Sequence, residues 1–256
     1  MRRRTLLLGA GAAAVLVACG EDERVTTTSG PETIRYGDDP SQYVELTRPE
    51  GASRGTVVVI HGGFWRAAYD LDLGRPLARD LATRGWTVVN TEYRRVGNGG
   101  GVPQTLDDVR AAIAAVELGA GPVVTLGHSA GGHLATWAGS AVEAVTHVIS
   151  QAGVVDLVAA DAEGLGDGAV RAFLGEAPID ATVDPVQQVP LGVPVWCVHG
   201  TADEIVPISQ SQSYVAAATA AGAQAELVEV AGDHFVVIDT ASTAWARTVD
   251  LLEQLS

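Results

Sequence analysis

The sequence predicts an α/β fold in which a mostly parallel central sheet carries helices on both faces. Three observations point there. Short apolar, β-branched runs at 56–60, 86–91, 123–126, 146–150, 193–198 and 225–230 alternate with longer Ala- and Leu-rich segments of helical period. Most of these runs are apolar along their whole length, as strands buried on both faces must be. The chain has 256 residues, 47% hydrophobic and 18% charged, with no internal repeat, which suits one large core.

From the N-terminus, Arg2, Arg3 and Arg4 precede an apolar run over 6–18, then Cys19, Gly20 and the acids Glu21, Asp22 and Glu23. A run of roughly 13 residues is short for a bilayer, which takes about 20, so 1–18 is expected to be a signal peptide. Leu16, Val17, Ala18 and Cys19 resemble a bacterial lipobox, which implies cleavage before Cys19 and lipidation of its thiol and new amino group. Arg3 and Arg4 also resemble a twin-arginine export signal. The expectation is a chain exported and lipid-anchored to the outer face of the cytoplasmic membrane or the cell envelope. Residues 19–40, rich in Thr, Ser, Gly and acids, are expected to form a flexible tether to a globular domain over 41–256.

Within that domain, 43–47 is expected to add an antiparallel strand ahead of the strand at 56–60. Helices are expected at 71–83, 105–117, 132–138, 209–220 and 240–255, between the strands. Gln104 or Thr105 suits a helix start, since Asp107 and Asp108 then complement the dipole of the first turn. Residues 154–190 break the alternation. They are rich in Gly, Asp and Pro, with one apolar stretch at 170–174, and are expected to form a small cap or lid over the site.

Composition excludes several chemistries. All 16 basic residues are Arg, so neither a Schiff-base amine nor a lysine phosphate clamp is available. The formal net charge of -15 repels polyanions, and nucleic acid is not expected as a partner. Removal of residues 1–18 would deepen the charge to about -18. Cys197, the only cysteine besides Cys19, lies in the apolar run at 193–198 and is expected to be an inert core thiol.

Gly127, His128, Ser129, Ala130 and Gly131 spell G-x-S-x-G between a strand and a helix. That context makes a nucleophile elbow: a tight strand-to-helix turn exposes the Ser129 hydroxyl, and the glycines leave room for neighbouring backbone. His61, Gly62, Gly63, Phe64 and Trp65 follow the strand at 56–60, where an oxyanion loop belongs. The backbone N–H of Gly63 or Phe64, with that of Ala130, is expected to hold a developing oxyanion. His61 is expected to anchor this loop through backbone hydrogen bonds, and Phe64 and Trp65 are candidate walls of a substrate pocket.

Asp203 follows the strand at 193–198, and His234 follows the strand at 225–230. Of six histidines, only His234 lies beyond the last strand, which selects it as general base. Asp203 is then the acid that orients it, ahead of its neighbours Glu204 and Asp233. Arg94 and Arg95 are expected to form ion pairs with acids rather than to bind substrate.

The stretches HGGFWRAAYD, EYRRVG, GHSAGGHLA, HGTADEIVP and GDHF resemble α/β-hydrolase fold esterases with an HGGxW oxyanion loop, close to bacterial kynurenine formamidases and small carboxylesterases. The resemblance runs from residue 56 to the C-terminus. It implies the α/β-hydrolase fold, the catalytic roles of Ser129, Asp203 and His234, and oxyanion donors at Gly63 or Phe64 and Ala130. The expected activity is hydrolysis of carboxylic esters with a short acyl or aryl group through an acyl-serine, with no metal or cofactor. Hydrolysis of N-formyl amides is the alternative within that resemblance. A non-catalytic surface lipoprotein on the same fold is the alternative outside enzymes.

Overall fold

The structure is a computed structural model and describes residues 30–255. The expected signal peptide, the expected lipidation site at Cys19 and the first part of the expected tether lie outside the described residues.

Eight strands form one sheet in the order β1-β2-β4-β3-β5-β6-β7-β8. The six strands β3 (Thr56–Ile60), β4 (Thr87–Thr91), β5 (Val123–His128), β6 (His147–Gln151), β7 (Val195–Gly200) and β8 (Ala225–Val230) run parallel. β1 (Glu32–Arg35) and β2 (Tyr43–Thr47) add an antiparallel edge. β3 and β5 are buried along their whole length, as the unbroken apolar runs require of central parallel strands.

Helices cover both faces: α1 (Arg75–Thr83), α2 (Gln104–Ala114), α3 (Ala130–Ala141), α4 (Leu157–Ala162), α5 (Leu165–Leu174), α6 (Ser209–Ala220) and α7 (Thr243–Glu253). Two apolar layers result. One packs Val58, Ile60, Val109, Leu134, Val148 and Tyr214 on one face of the sheet. The other packs Val57, Val59, Leu81, Leu126, Ile149 and Trp245 on the opposite face. Alternate residues of β3 and β5 thus serve opposite layers, and each buried side chain of this size contributes roughly 1.5–3 kcal/mol. Among the described residues no helix is long and apolar enough to cross a membrane.

Two expectations change. Residues 32–35, expected within the tether, instead form β1, which pairs with Tyr43–Leu46 in full register and so belongs to the sheet. The segment 154–190, expected as a small cap or lid rich in breakers, carries two helices and packs into the core. Asp156 caps α4 by accepting the Ala159 N–H at 3.0 Å, and Val170, Phe173 and Leu174 of α5 are buried in the main core. The stretch Gly166, Asp167 and Gly168 holds positive φ throughout, and a Cβ on Gly166 would lie 2.3 Å from the Phe64 ring.

Candidate active site

Parallel strands deliver their carboxyl ends to one edge of the sheet, and the site is assembled from four loops there. β5 ends in the elbow. Ser129 sits at φ 56° and ψ -121°, a conformation costing about 1–3 kcal/mol that the surrounding contacts must impose. Its N–H donates to the Gln151 carbonyl at 2.8 Å, and its own carbonyl accepts from Gly132 N–H at 2.8 Å. The turn is tight enough that a Cβ on Gly127 would lie 1.9 Å from the Gly131 carbonyl oxygen. One on Gly131 would lie 2.0 Å from that of Ile60. No residue with a side chain fits either place.

The loop after β3 lies against the elbow. A Cβ on Gly62 would stand 3.0 Å from that of Ser129. Gly63, Phe64 and Trp65 then turn through φ 109°, 54° and 54°. The N–H groups of Gly63, Phe64 and Ala130 have no acceptor among the described residues, which leaves them available to an anion. His61 anchors this loop, as its position suggests. Its ring stacks on Tyr93 at 4.4 Å, its Nδ1 contacts the Gly62 carbonyl at 2.7 Å, and Tyr93 Oη–H donates to the His61 carbonyl at 2.7 Å.

Beneath it, Glu92 is buried and pairs with Arg95 at 2.7 Å while accepting the Leu71 N–H. Arg94 forms a two-pronged pair with the buried Asp108. Both arginines are therefore structural, but their partners are buried acids rather than the surface acids that composition suggests.

Trp65 does not line a pocket. It is fully buried, stacks on Phe173 of α5 at 4.7 Å and meets His133 edge-on at 5.3 Å. Positive φ at this residue turns the indole into the core, a direction no local pattern reveals. Phe64 is half-buried, and Arg66 sits over its ring and donates to the Gly166 carbonyl at 2.5 Å, which ties the loop after β3 to the 154–190 segment.

Asp203 and His234 come together across the loops after β7 and β8. His234 Nδ1–H donates to Asp203 Oδ2 at 2.6 Å, and Asp203 Oδ1 accepts the N–H groups of Ile205 at 2.9 Å and Val206 at 2.8 Å. Burial alone would raise the Asp203 carboxyl. Hydrogen bonds from His199, His234 and the Val206 N–H outweigh it and hold the group below the usual carboxylate range. Glu204 and Asp233 are exposed, and Asp233 spends its carboxylate on the Phe235 and Val236 N–H groups of its own turn.

His128, beside Ser129, joins the two halves. Its Nε2–H donates to the His234 carbonyl at 2.8 Å, and its ring lies 4.5 Å from that of His234. Burial, then the neighbouring His234 charge, lowers its pKa to about 3, so the ring is a neutral strut. No hydrogen bond joins Ser129 Oγ to His234, and Nε2 of His234 has no hydrogen-bond partner among the described residues. Sequence reasoning passed over His128, whose contact with His234 spans 106 residues, and also His199, whose partners Asp203, Val206 and Ser211 are near in the chain but meet it only through the folding of the loop after β7. Among the described residues no group of three or more His, Cys, Asp or Glu side chains is placed to hold a metal ion.

Comparison with known proteins adds to this geometry. The profile of the BD-FAE family matches residues 44–217. The chain is 25% identical over 251 residues to the esterase LipC of Mycobacterium tuberculosis, covering 82% of this chain but only 61% of that relative. Among solved structures, the thermophilic esterase Est2 of the planctomycete Thermogutta terrifontis matches with a TM-score of 0.71 at 24% identity, over 89% of this chain and 92% of that one. A truncated carbohydrate esterase from gut microbiota matches with a TM-score of 0.72 at 20% identity, over 88% and 99%. At these identities the two structures speak for the fold, which is that of α/β-hydrolase esterases.

Proposed function

Because the chain belongs to the BD-FAE family, a family of esterases, we propose that it hydrolyses carboxylic esters through an acyl intermediate on Ser129. The observation that carries the reading is the 2.6 Å bond from His234 to Asp203. It commits Nδ1 of the base and leaves Nε2 as the nitrogen that receives the nucleophile's proton. Ser129 Oγ attacks the ester carbonyl, and its proton passes to His234. The oxyanion is held by the N–H groups of Gly63 or Phe64 and Ala130, each worth about 3–4 kcal/mol in comparable sites. His234 returns the proton to the leaving alkoxide. Water then repeats the cycle on the acyl-serine. The Ser129–His234 contact closes around bound substrate, since such bonds tighten in the complex.

The exposed large apolar side chains Tyr69, Leu73, Val158, Ile205 and Phe235 all lie in segments leaving the carboxyl ends of strands. Phe235 stands 5.3 Å from the His234 ring. This setting favours an apolar acyl or aryl ester over a charged substrate. The test is hydrolysis of p-nitrophenyl acetate and labelling by a fluorophosphonate, with N-formylkynurenine in parallel. Turnover and labelling that both vanish in Ser129→Ala support the reading. A folded wild type that shows neither is a binding scaffold, and preference for the formamide would reassign the substrate class.

Export with a lipid on Cys19 is proposed on the arginines, apolar run and cysteine of the N-terminal sequence. Incorporation of a radiolabelled fatty acid in the wild type but not in Cys19→Ala is the expected result.

A further inference from the structure

We infer that His199 is a positioning residue for the reaction, holding the Asp203 carboxylate through the same oxygen that His234 uses, so that His234 is presented to Ser129 in one orientation. The inference rests on the esterase reading and extends it to a group outside the triad.

His199 ends β7, four residues before Asp203, and its side chain is completely buried. Its Nε2 lies 2.9 Å from the Val206 carbonyl and 3.3 Å from Asp203 Oδ2. Both partners are acceptors, so Nε2 carries a hydrogen and shares it between them. In the neutral ring, Nδ1 is then an acceptor, and Ser211 Oγ–H, at 2.7 Å on α6, donates to it.

The loop 201–208 is wound around this imidazole. Val206 turns its carbonyl to the ring and its N–H to Asp203 Oδ1, so one residue bridges the histidine and the carboxylate. Oδ1 is fixed by two backbone donors. Oδ2 is reached by two imidazoles, His234 on the solvent side and His199 from within the protein. Without the inner one, Oδ2 would answer to His234 alone, and only the two N–H bonds to Oδ1 would resist rotation of the carboxylate about its Cβ–Cγ bond. With it, the plane of the acid is set before substrate arrives. Groups standing behind a reacting side chain in this way typically change activity by about 10- to 100-fold.

The test uses the full chain with His199→Leu, which removes the donor, and His199→Gln, whose amide can place an N–H near the position of Nε2. Active sites are titrated with a fluorophosphonate, and kcat per titrated site and KM are measured on p-nitrophenyl acetate. The expected result is a 10- to 100-fold fall in kcat for His199→Leu with KM within about twofold of wild type, most of it recovered in His199→Gln. A residue that only supports folding would lower the titratable fraction while leaving kcat per site intact. That outcome, or equal loss in both variants, overturns the inference while the wild type still hydrolyses ester. Should His199→Leu not fold, Ser211→Ala takes its place. It keeps the ring but frees Nδ1, and kcat per site is expected to fall several-fold. Wild-type kcat in that variant overturns the inference. A wild type inert toward both ester and fluorophosphonate sinks the esterase reading itself, and this inference with it.

Discussion

The nucleophile arm of the site, built on the loop after β3 and the elbow after β5, is held by backbone pressed against backbone. The acid–base arm, built on the loops after β7 and β8, is held by side-chain hydrogen bonds. In the first, Gly127 and Gly131 admit the chain where no Cβ fits, and Ser129 is forced to positive φ. In the second, one carboxylate collects two backbone N–H groups and two imidazoles. Steric fixation tolerates almost no substitution, whereas a hydrogen-bonded carboxylate can be altered without loss of shape. The first arm should therefore fail by not folding and the second by folding without activity.

The largest effect is expected on the acid–base arm. Asp203→Asn keeps the size of the side chain but presents an amide to Nδ1, which disturbs the tautomer of the base. A fall in kcat of about 10⁴-fold, nearly 5.5 kcal/mol in the barrier, is expected in a variant that still folds, although less stably than wild type at neutral pH. Retained activity would mean that another acid serves His234. On the nucleophile arm, Gly131→Ala drives a methyl group into the Ile60 and His61 carbonyls. A stability loss of more than about 3 kcal/mol in urea titration is expected, and a variant as stable as wild type would show that the turn yields.

Acid separates the arms more finely. His128 and His133 are both buried, and burial lowers them to about 3 and about 4 from the usual 6.5. As pH falls below 6.5 the unfolded chain takes up protons that the folded rings refuse. Stability is therefore complete above that value and drains away toward pH 4. At pH 5 the loss should be about 2 kcal/mol per ring relative to pH 7. Asp203, with its depressed carboxyl, contributes stability that is present above the usual 3.8 and fades only as pH drops through its lower folded value. The decline between pH 7 and 5 thus belongs to the histidines of the elbow and α3. Equal urea midpoints at the two pH values would refute this. The smallest effect is expected at Phe235, 53% exposed beside the His234 ring. Phe235→Ala should raise KM for an aryl ester several-fold, less than about 1.5 kcal/mol, with kcat retained.

How far each arm was legible in the sequence follows the same division. Most of the six parallel strands announced themselves as apolar runs, although β8 alternates through Glu226 and Glu229, and the glycines around Ser129 gave the elbow by their spacing and their place between a strand and a helix. β1 escaped because Glu32–Arg35 is mostly exposed and acquires its strand character only from pairing with β2. α4 is six residues long, too short for a helical period to register. Trp65 looked like a pocket wall because its neighbour Phe173 lies 108 residues away, on a helix whose packing no local pattern discloses. Chain order picked out Asp203 and His234, while the bond between His199 and Ser211 requires α6 to pack against the end of β7.

β7 also carries Cys197, whose sulfur is sealed from solvent and pushed up to about 12 by burial, an effect that Ser211 partly offsets. A thiol reagent can reach it only when the strand parts from its neighbours, and then meets a cysteine of ordinary reactivity. The pace of alkylation in native buffer would count those openings like a built-in stopwatch, two residues from His199 and without any engineered label.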